Sequence, residues 1–529
     1  MSRLWVRHRD FLLTGLLCIA LSIFCLRLWF SAYTSGDDGY TAFAALNPNG
    51  LWASAKEMAF FQGRFYQLLV YPVAMLPFKA ESMDVFNICR IANFLFYMAG
   101  FAYLCWVAFG KSIMWLSLFL FIGLYDTVGG SYNPFHGLPL WFGVGCGLLC
   151  FSIGSFTTAI RAGRYPVMAT LLFALSLLTY EIVLLYVPLY GLIAMWVQGK
   201  GREHSARTRI FWALKSTSGI ALVSIAYLIA YAVFRKIHPA SYVGAEGLSL
   251  GSPLATLKPI YEFSVLSLYW TTKYSGAHGL TAQSLLLAIT VLVGIFASLR
   301  QFGRAGHDGA IAESPGMVLL IAGYVFVPNI LFGLTQRYRI WSGDGVQFYL
   351  GSLSSAMAMC ILLAVIIAML RPKFSARTWQ LVGGGIALGI AVLGYANSRN
   401  SQNFFAQSEE MSSRWGLADL VSARLKNELL DANAPVPAPY VICGDGFTQT
   451  TQLPVYFKNP DMLADADLYW SRYFSRQMKR DVKYTSKGVA PGHCDASIAL
   501  DYSHHMATYS RIGAAATQIR LPENHHLEW

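Results

Sequence analysis

Hydrophobic positions along this chain come in long blocks rather than in one-sided stripes. Apolar runs of about 20 residues recur from Phe11 to Tyr395, separated by short basic or turn-forming segments. Blocks of that length suit helices that cross a bilayer, not the amphipathic helices of a soluble protein. They predict helices over about 11–33, 84–109, 112–126, 137–158, 211–234, 281–299, 316–334, 349–369 and 379–395. The stretch 167–197 is too long for one ordinary helix. It is flanked by Arg161 and Arg164 on one side and by Lys200, Arg202, Arg207 and Arg209 on the other. Basic flanks belong on the cytoplasmic side, so this stretch must cross twice, turning near Thr179-Tyr180-Glu181. The expected fold is therefore an all-α polytopic membrane protein of about eleven spans.

The same charge rule sets the orientation. Arg3, Arg7, His8 and Arg9 hold the N-terminus in the cytoplasm. The first run is read as a retained helix, because it lacks a small-residue cleavage site and ends in Arg27 and Trp29. The first outer loop, 34–82, contains the turn signal Asn47-Pro48-Asn49-Gly50 and two apolar pieces, 51–61 and 68–78. Both pieces are too short to span, and the first is expected to lie along the interface. A second large outer loop covers 236–279. The segment Gln336–Asp344 is expected as an outer loop, and its Arg337 and Arg339 run against the cytoplasmic bias of basic residues.

The composition changes at Asn397. Apolar runs shorten, and Pro435, Pro437 and Pro439 lead into a strand-like Tyr440-Val441-Ile442-Cys443. The chain is thus divided into a membrane domain, 1–396, and a soluble α/β or α+β domain, 397–529, on the far side of the membrane. Met411 to Leu430 reads as an amphipathic helix. Seven of nine cysteines lie in or at the edges of apolar helices and are read as packing residues. Cys443 and Cys494 could pair in an oxidising compartment, but their spacing alone does not show whether they meet.

A net charge of +12 raises nucleic acid as a partner. The distribution of charge argues otherwise. Residues 1–396 carry 27 Lys and Arg against 14 Asp and Glu, whereas residues 397–529 carry 13 against 14. The excess therefore sits in the membrane part, where it sets orientation, and no basic stripe or nucleic-acid motif accompanies it. The sequence has no P-loop, no Cys/His zinc spacing and no internal repeat. His504-His505 and His525-His526 are read as surface.

The candidate chemistry lies in the outer loops. Asp37 and Asp38 follow the first span, then come Tyr40, Lys56, Glu57 and Arg64, with His136, Glu181, Arg337 and Arg339 in later loops. Lys258, Lys273 and Asp344 lie on the same side. Ionisable groups at membrane depth are costly unless paired, wet or used. Two acids and several cations on one face suit group transfer from an activated lipid. An acid takes the proton of an acceptor hydroxyl, and cations stabilise the leaving phosphate. Blander readings stand beside this one. Asp37 and Asp38 could cap a helix after Gly36, Glu181 could pair with an arginine to lock two helices, and Arg337 and Arg339 could anchor lipid head groups.

Three motifs carry a resemblance: Asp37-Asp38-Gly39-Tyr40, Gln62-Gly63-Arg64-Phe65, and Thr179-Tyr180-Glu181 between two short helices. With the order of spans and the terminal outer domain, they resemble the GT-C superfamily of integral membrane glycosyltransferases. Within it they are similar to bacterial glucosyltransferases that decorate O-antigen and related surface glycans. The resemblance implies a hexosyltransferase of the bacterial inner membrane, with a periplasmic terminal domain. It would take a sugar from a polyprenyl-phosphate donor and pass it to a lipopolysaccharide-type acceptor. Asp37 or Asp38 would be the base, and Arg64, Arg337 and Arg339 would hold the carrier phosphate. Glu181 would bond sugar hydroxyls or orient an arginine, and Tyr40, Lys56, Glu57 and His136 complete the substrate-binding set. The resemblance does not fix whether a divalent cation, Mg or Mn, takes part, and the sequence shows no separate metal motif. The competing classes are a lipid-linked glycan flippase, which would favour repeated halves with broken helices, and a surface-glycan polymerase or ligase.

Overall fold

The computed structural model describes residues 2–29, 41, 44–45, 49–79, 83–125, 135, 140–199, 206–240, 251–265, 281–300, 315–343, 351–431, 439–445, 467, 470–471, 474–475, 478, 481–485, 494–501, 506–511 and 516–520. The membrane part is mainly helical across these residues. In chain order its helices are α1 (Ser2–Trp29), α2 (Leu51–Gln62), α3 (Gln67–Lys79), α4 (Met83–Phe109), α5 (Lys111–Leu124) and α6 (Phe142–Arg161). Then follow α7 (Val167–Leu177), a 3-10 helix at Glu181–Tyr186, α8 (Val187–Gly199), α9 (Ala206–Ile237), α10 (Pro253–Ser264) and α11 (Ala282–Leu299). The last are α12 (Pro315–Phe326), α13 (Gln336–Gly343), α14 (Ser352–Leu370) and α15 (Ala376–Asp431).

Among the described residues, eight helices are long and apolar enough to cross a membrane, and three shorter apolar ones accompany them at Lys111–Leu124, Val167–Leu177 and Glu181–Val197. Together these correspond to the eleven spans expected from hydropathy. The stretch 167–197 doubles back. Ser152 on α6 donates to the Ala169 carbonyl at 2.7 Å and lies 2.7 Å from the Tyr190 hydroxyl. Positions 169 and 190 therefore sit at one level, with the turn at 178–180 beyond them. Pro188 lacks an amide hydrogen and stands at the second position of α8, which accounts for the tight 3-10 turn before it.

Three expectations change. The span over 316–334 is broken, because Pro328 interrupts it with a 3-10 turn at Val327–Asn329. Gln336–Gly343 is not a loop but the two-turn helix α13. The last span does not stop near 395. It continues as α15 for 56 residues, through the point where the composition changes. No proline lies within it, so nothing in the backbone forces an end until Asp431. Buried polar groups tie its membrane half to neighbours. Asn397 donates to the carbonyls of Gly123 and Leu124 at 3.1 and 3.0 Å. Ser398 donates to Ser284 at 2.7 Å and accepts from Arg27.

Beyond α15 stands a five-stranded sheet in the order β2-β1-β3-β4-β5: β1 (Tyr440–Asp445), β2 (Val482–Thr485), β3 (Ala496–Asp501), β4 (Met506–Arg511) and β5 (Thr517–Arg520). β1 runs parallel to β2 and β3, and the rest is antiparallel. Alternate residues Tyr440, Ile442, Tyr484, Ile498, Ala507 and Tyr509 are buried on one face. Val421 and Leu425 of α15 are buried with them, and Arg424 donates to the Tyr509 hydroxyl at 3.3 Å. Cys443 and Cys494 are joined as a disulfide, with their Cα atoms 5.7 Å apart.

The disulfide closes a sequence separation of 51 residues, worth about 4 kcal/mol by loop entropy. Reduction, or the Cys443→Ser/Cys494→Ser pair, should speed amide hydrogen exchange in β1 and β3 while leaving α4 and α6 unchanged. Hydrogen-exchange mass spectrometry checks this.

Candidate functional site

The candidate site is built on the turn between α2 and α3. α2 ends at Gly63, which adopts φ 64° and ψ 33°. The Gly63 amide donates to the Phe60 carbonyl at 3.3 Å and the Arg64 amide to the Ala59 carbonyl at 2.9 Å. This is a Schellman closure, whose left-handed position favours glycine. A Cβ at Gly63 would also lie 3.0 Å from that of Ala240. The closure turns the chain so that Arg64 leaves the helix axis and Tyr66 packs inward.

Arg64 meets Glu181 across 117 residues of chain. Its Nη2 lies 2.9 Å from Glu181 Oε1, and its Nη1 donates to Gln62 Oε1 at 3.2 Å. Gln67 donates to that same Gln62 oxygen at 2.7 Å, which fixes the glutamine's orientation. The Tyr66 hydroxyl donates to the other carboxylate oxygen, Oε2, at 2.5 Å. Glu181 is thus held through both oxygens, so it serves better to orient Arg64 than to abstract protons. The pair is half-buried, with side chains 17% and 21% exposed.

The electrostatics follow from this geometry. Burial disfavours the Arg64 cation most strongly, but the Glu181 carboxylate together with the Tyr66, Tyr180 and Tyr338 hydroxyls outweighs it, and the pKa is held well above the ordinary arginine value. Burial also pushes the Tyr66 phenol well up. The Arg64 charge opposes this, while Glu181 reinforces it, so Tyr66 stays a neutral donor. The hydroxyls of Tyr180 and Tyr338 lie within electrostatic reach of Arg64, which places α13 beside the pair.

An aromatic cluster seats the turn against the end of α9. Phe65 and Tyr66 lie 5.2 and 6.3 Å from the Tyr227 ring, and Phe60 stacks on His238 at 3.9 Å. On the other side, Trp141 donates from Nε1 to the Thr179 carbonyl at 2.8 Å, and Ser176 donates to the Gly145 carbonyl at 2.7 Å. These bonds pin the turn that presents Glu181.

The structure brings together Arg64 and Glu181. Arg339 stands apart from the pair's direct bonds: its Nη1 donates to the Gly333 carbonyl at 3.1 Å. Arg337 is on α13, but its side chain lies outside the described residues. Lys56 and Glu57 are exposed on α2, with Lys56 5.5 Å from the Phe60 ring, and neither is bonded to Arg64 or Glu181. Lys258 faces Glu262 at 3.9 Å on α10. Asp37, Asp38, Tyr40, His136, Lys273 and Asp344 lie outside the described residues. Sequence reasoning gave no role to Gln62, Tyr66, Gln67, Trp141 or Tyr227. Only the motif Gln62-Gly63-Arg64-Phe65 pointed to their neighbourhood. Among the described residues, no three His, Cys, Asp or Glu side chains gather in a way that could hold a metal ion.

No protein-family profile and no curated protein matches this chain. Among solved structures, it is similar to the crystal structure of ArnT from Cupriavidus metallidurans bound to undecaprenyl phosphate. The identity is 10%, the match covers 93% of each chain, and the TM-score is 0.37. A likeness of that degree carries no argument about function.

Two outcomes follow from the pair. Glu181→Gln should cost about 1–3 kcal/mol, because a half-buried guanidinium loses its counter-ion, and Tyr66→Phe about 1 kcal/mol for its hydrogen bond. Thermal unfolding in detergent measures both. The raised Tyr66 pKa also sets an alkaline limit. Above the ordinary tyrosine value of 10.0 the unfolded chain releases a proton that the folded chain keeps, so stability is full below that pH and falls above it. Relative to Tyr66→Phe, the wild type should lose about 1.4 kcal/mol per pH unit there.

Proposed function

We propose that this protein is a membrane glycosyltransferase, a hexosyltransferase that moves a sugar from a polyprenyl-phosphate donor to a surface-glycan acceptor on the periplasmic face of a bacterial inner membrane. The observation that carries the reading is Arg64, set between the spans with its guanidinium aligned by Glu181 and Gln62. Those two bonds use two of the five N–H donors of the fork. The remaining edge suits the oxygens of a phosphate at the membrane surface. The motif resemblance supplies the rest: an acid pair after the first span and arginines on α13.

In this mechanism Asp37 or Asp38 takes the proton from an acceptor hydroxyl as its oxygen attacks the anomeric carbon. The bond from that carbon to the phosphate oxygen breaks, and polyprenyl phosphate leaves. Arg64, with Arg337 and Arg339 on the neighbouring helix, offsets the charge that grows on the leaving phosphate. Glu181 keeps Arg64 in place and is not itself the base. Tyr40, Lys56, Glu57 and His136 are proposed to contact the sugar or acceptor. A divalent cation would supply further charge to the leaving group, but the described residues offer no donor set for one.

The disulfide supports placing the terminal sheet in an oxidising compartment, which for an inner-membrane protein is the periplasm. With α15 passing from membrane to sheet, the N-terminus is then cytoplasmic after eleven crossings.

Purified protein should transfer or hydrolyse sugar from a synthetic polyprenyl-phosphate hexose. Asp37→Asn or Asp38→Asn should abolish turnover while donor binding persists, and Arg64→Ala should weaken donor binding by about tenfold or more. Wild-type protein that binds the donor but neither transfers nor hydrolyses it, across acceptors and added Mg or Mn, would point to a flippase instead.

A further inference from the structure

We infer that Trp141 is a positioning residue that sets the Arg64–Glu181 pair, because it braces both halves of that pair at once. The two charged groups come from distant parts of the chain and share no element. Arg64 and Tyr66 belong to the turn that leads into α3, and Glu181 belongs to the turn after α7. Trp141 touches each support. Its indole N–H bonds the Thr179 carbonyl, two residues before Glu181, at 2.8 Å. Its ring meets the Tyr71 ring of α3 edge-on at 5.8 Å and stacks on Phe142 at 5.3 Å. The residue is 6% exposed, so an indole N–H deprived of that carbonyl would be a buried donor to satisfy elsewhere.

The backbone next to it is unusual in a way that fits this role. Leu140 adopts φ 65°, the only positive φ at a non-glycine among the described residues. A leucine rarely takes that conformation, because its Cβ crowds the backbone. Such outliers persist where surrounding contacts over-determine them, and they gather at functional sites. Here the left-handed step delivers the chain into α6 with the indole aimed at the 178–180 turn. Gly145 lets that turn come close, since a Cβ there would overlap the Thr179 side chain.

The consequence for ligand binding rests on the reading of Arg64 as the phosphate-binding group, but the positioning itself is tested without it. Arg64→Ala, Glu181→Ala and the double variant are unfolded thermally in detergent, in the wild-type, Trp141→Phe, Gly145→Ala and Phe142→Leu backgrounds. In the wild type the two losses should be non-additive, since the residues are bonded. Trp141→Phe keeps an aromatic ring and deletes the N–H, and Gly145→Ala displaces the same turn from the α6 side. Both should make the losses additive. Phe142→Leu removes the stacking partner but keeps the N–H, so it should lower the melting temperature while leaving the non-additivity. Wild-type non-additivity retained in Trp141→Phe, or lost equally in Phe142→Leu, overturns the proposal. If Trp141→Phe does not fold, retained non-additivity in Gly145→Ala overturns it instead. Native mass spectrometry with undecaprenyl phosphate gives the second readout: Trp141→Phe should bind about tenfold more weakly, one hydrogen bond's worth. If the wild type binds none, the functional reading fails while the coupling result still decides the role of Trp141.

Discussion

A guanidinium taken largely out of water is costly to hold charged, and a carboxylate fixed beside it offsets that cost. The Arg64–Glu181 pair meets that constraint, and much of the local fold follows from it. The arginine needs a helix that stops at Gly63. The acid needs a span that folds back on itself after eleven helical residues of α7. Tyr66 closes the set by taking the second carboxylate oxygen, which leaves Glu181 fully engaged. Glu181, expected to lock two helices through an arginine or, on the resemblance, to bond sugar hydroxyls or orient an arginine, is therefore a holder of Arg64. That reading is compatible with function, because a fixed guanidinium is a better anion site than a mobile one.

The membrane architecture was legible because hydropathy and the distribution of basic residues report directly on a bilayer. The double crossing of 167–197 came from two basic flanks and an excess of length, and the levels of Ala169 and Tyr190 beside Ser152 agree with it. What escaped was local. The break at Pro328 lies inside an apolar run, where a transmembrane proline need not end a span. The helix at Gln336–Gly343 has no apolar stripe to betray it; its neighbours, not its pattern, hold it.

At the site, Arg64 and Glu181 stood out as charges in apolar surroundings, so composition alone exposed them. Their partners did not stand out. Tyr66, Trp141 and Tyr227 are three among many aromatic residues in a chain that is 15% aromatic, and an interfacial belt explains most of those. Only distance in space separates a tyrosine that bonds a carboxylate from one that rests on lipid. Lys56 shows the converse. Its charge drew notice, yet it lies over the Phe60 ring, exposed on α2, and makes no bond to the pair.

The unbroken run of α15 gives the terminal sheet a phase as well as a height. The sheet packs on Val421 and Leu425, while Asn397 and Ser398 are tied into the membrane bundle. Each residue between these anchors adds about 1.5 Å of rise and about 100° of rotation. A single insertion there would swing the sheet nearly a third of a turn around the helix axis, whereas eleven residues would almost restore its bearing at greater height. Which side of the bundle the sheet overhangs is thus written in the length of the helix, independent of any residue that the sheet itself contains.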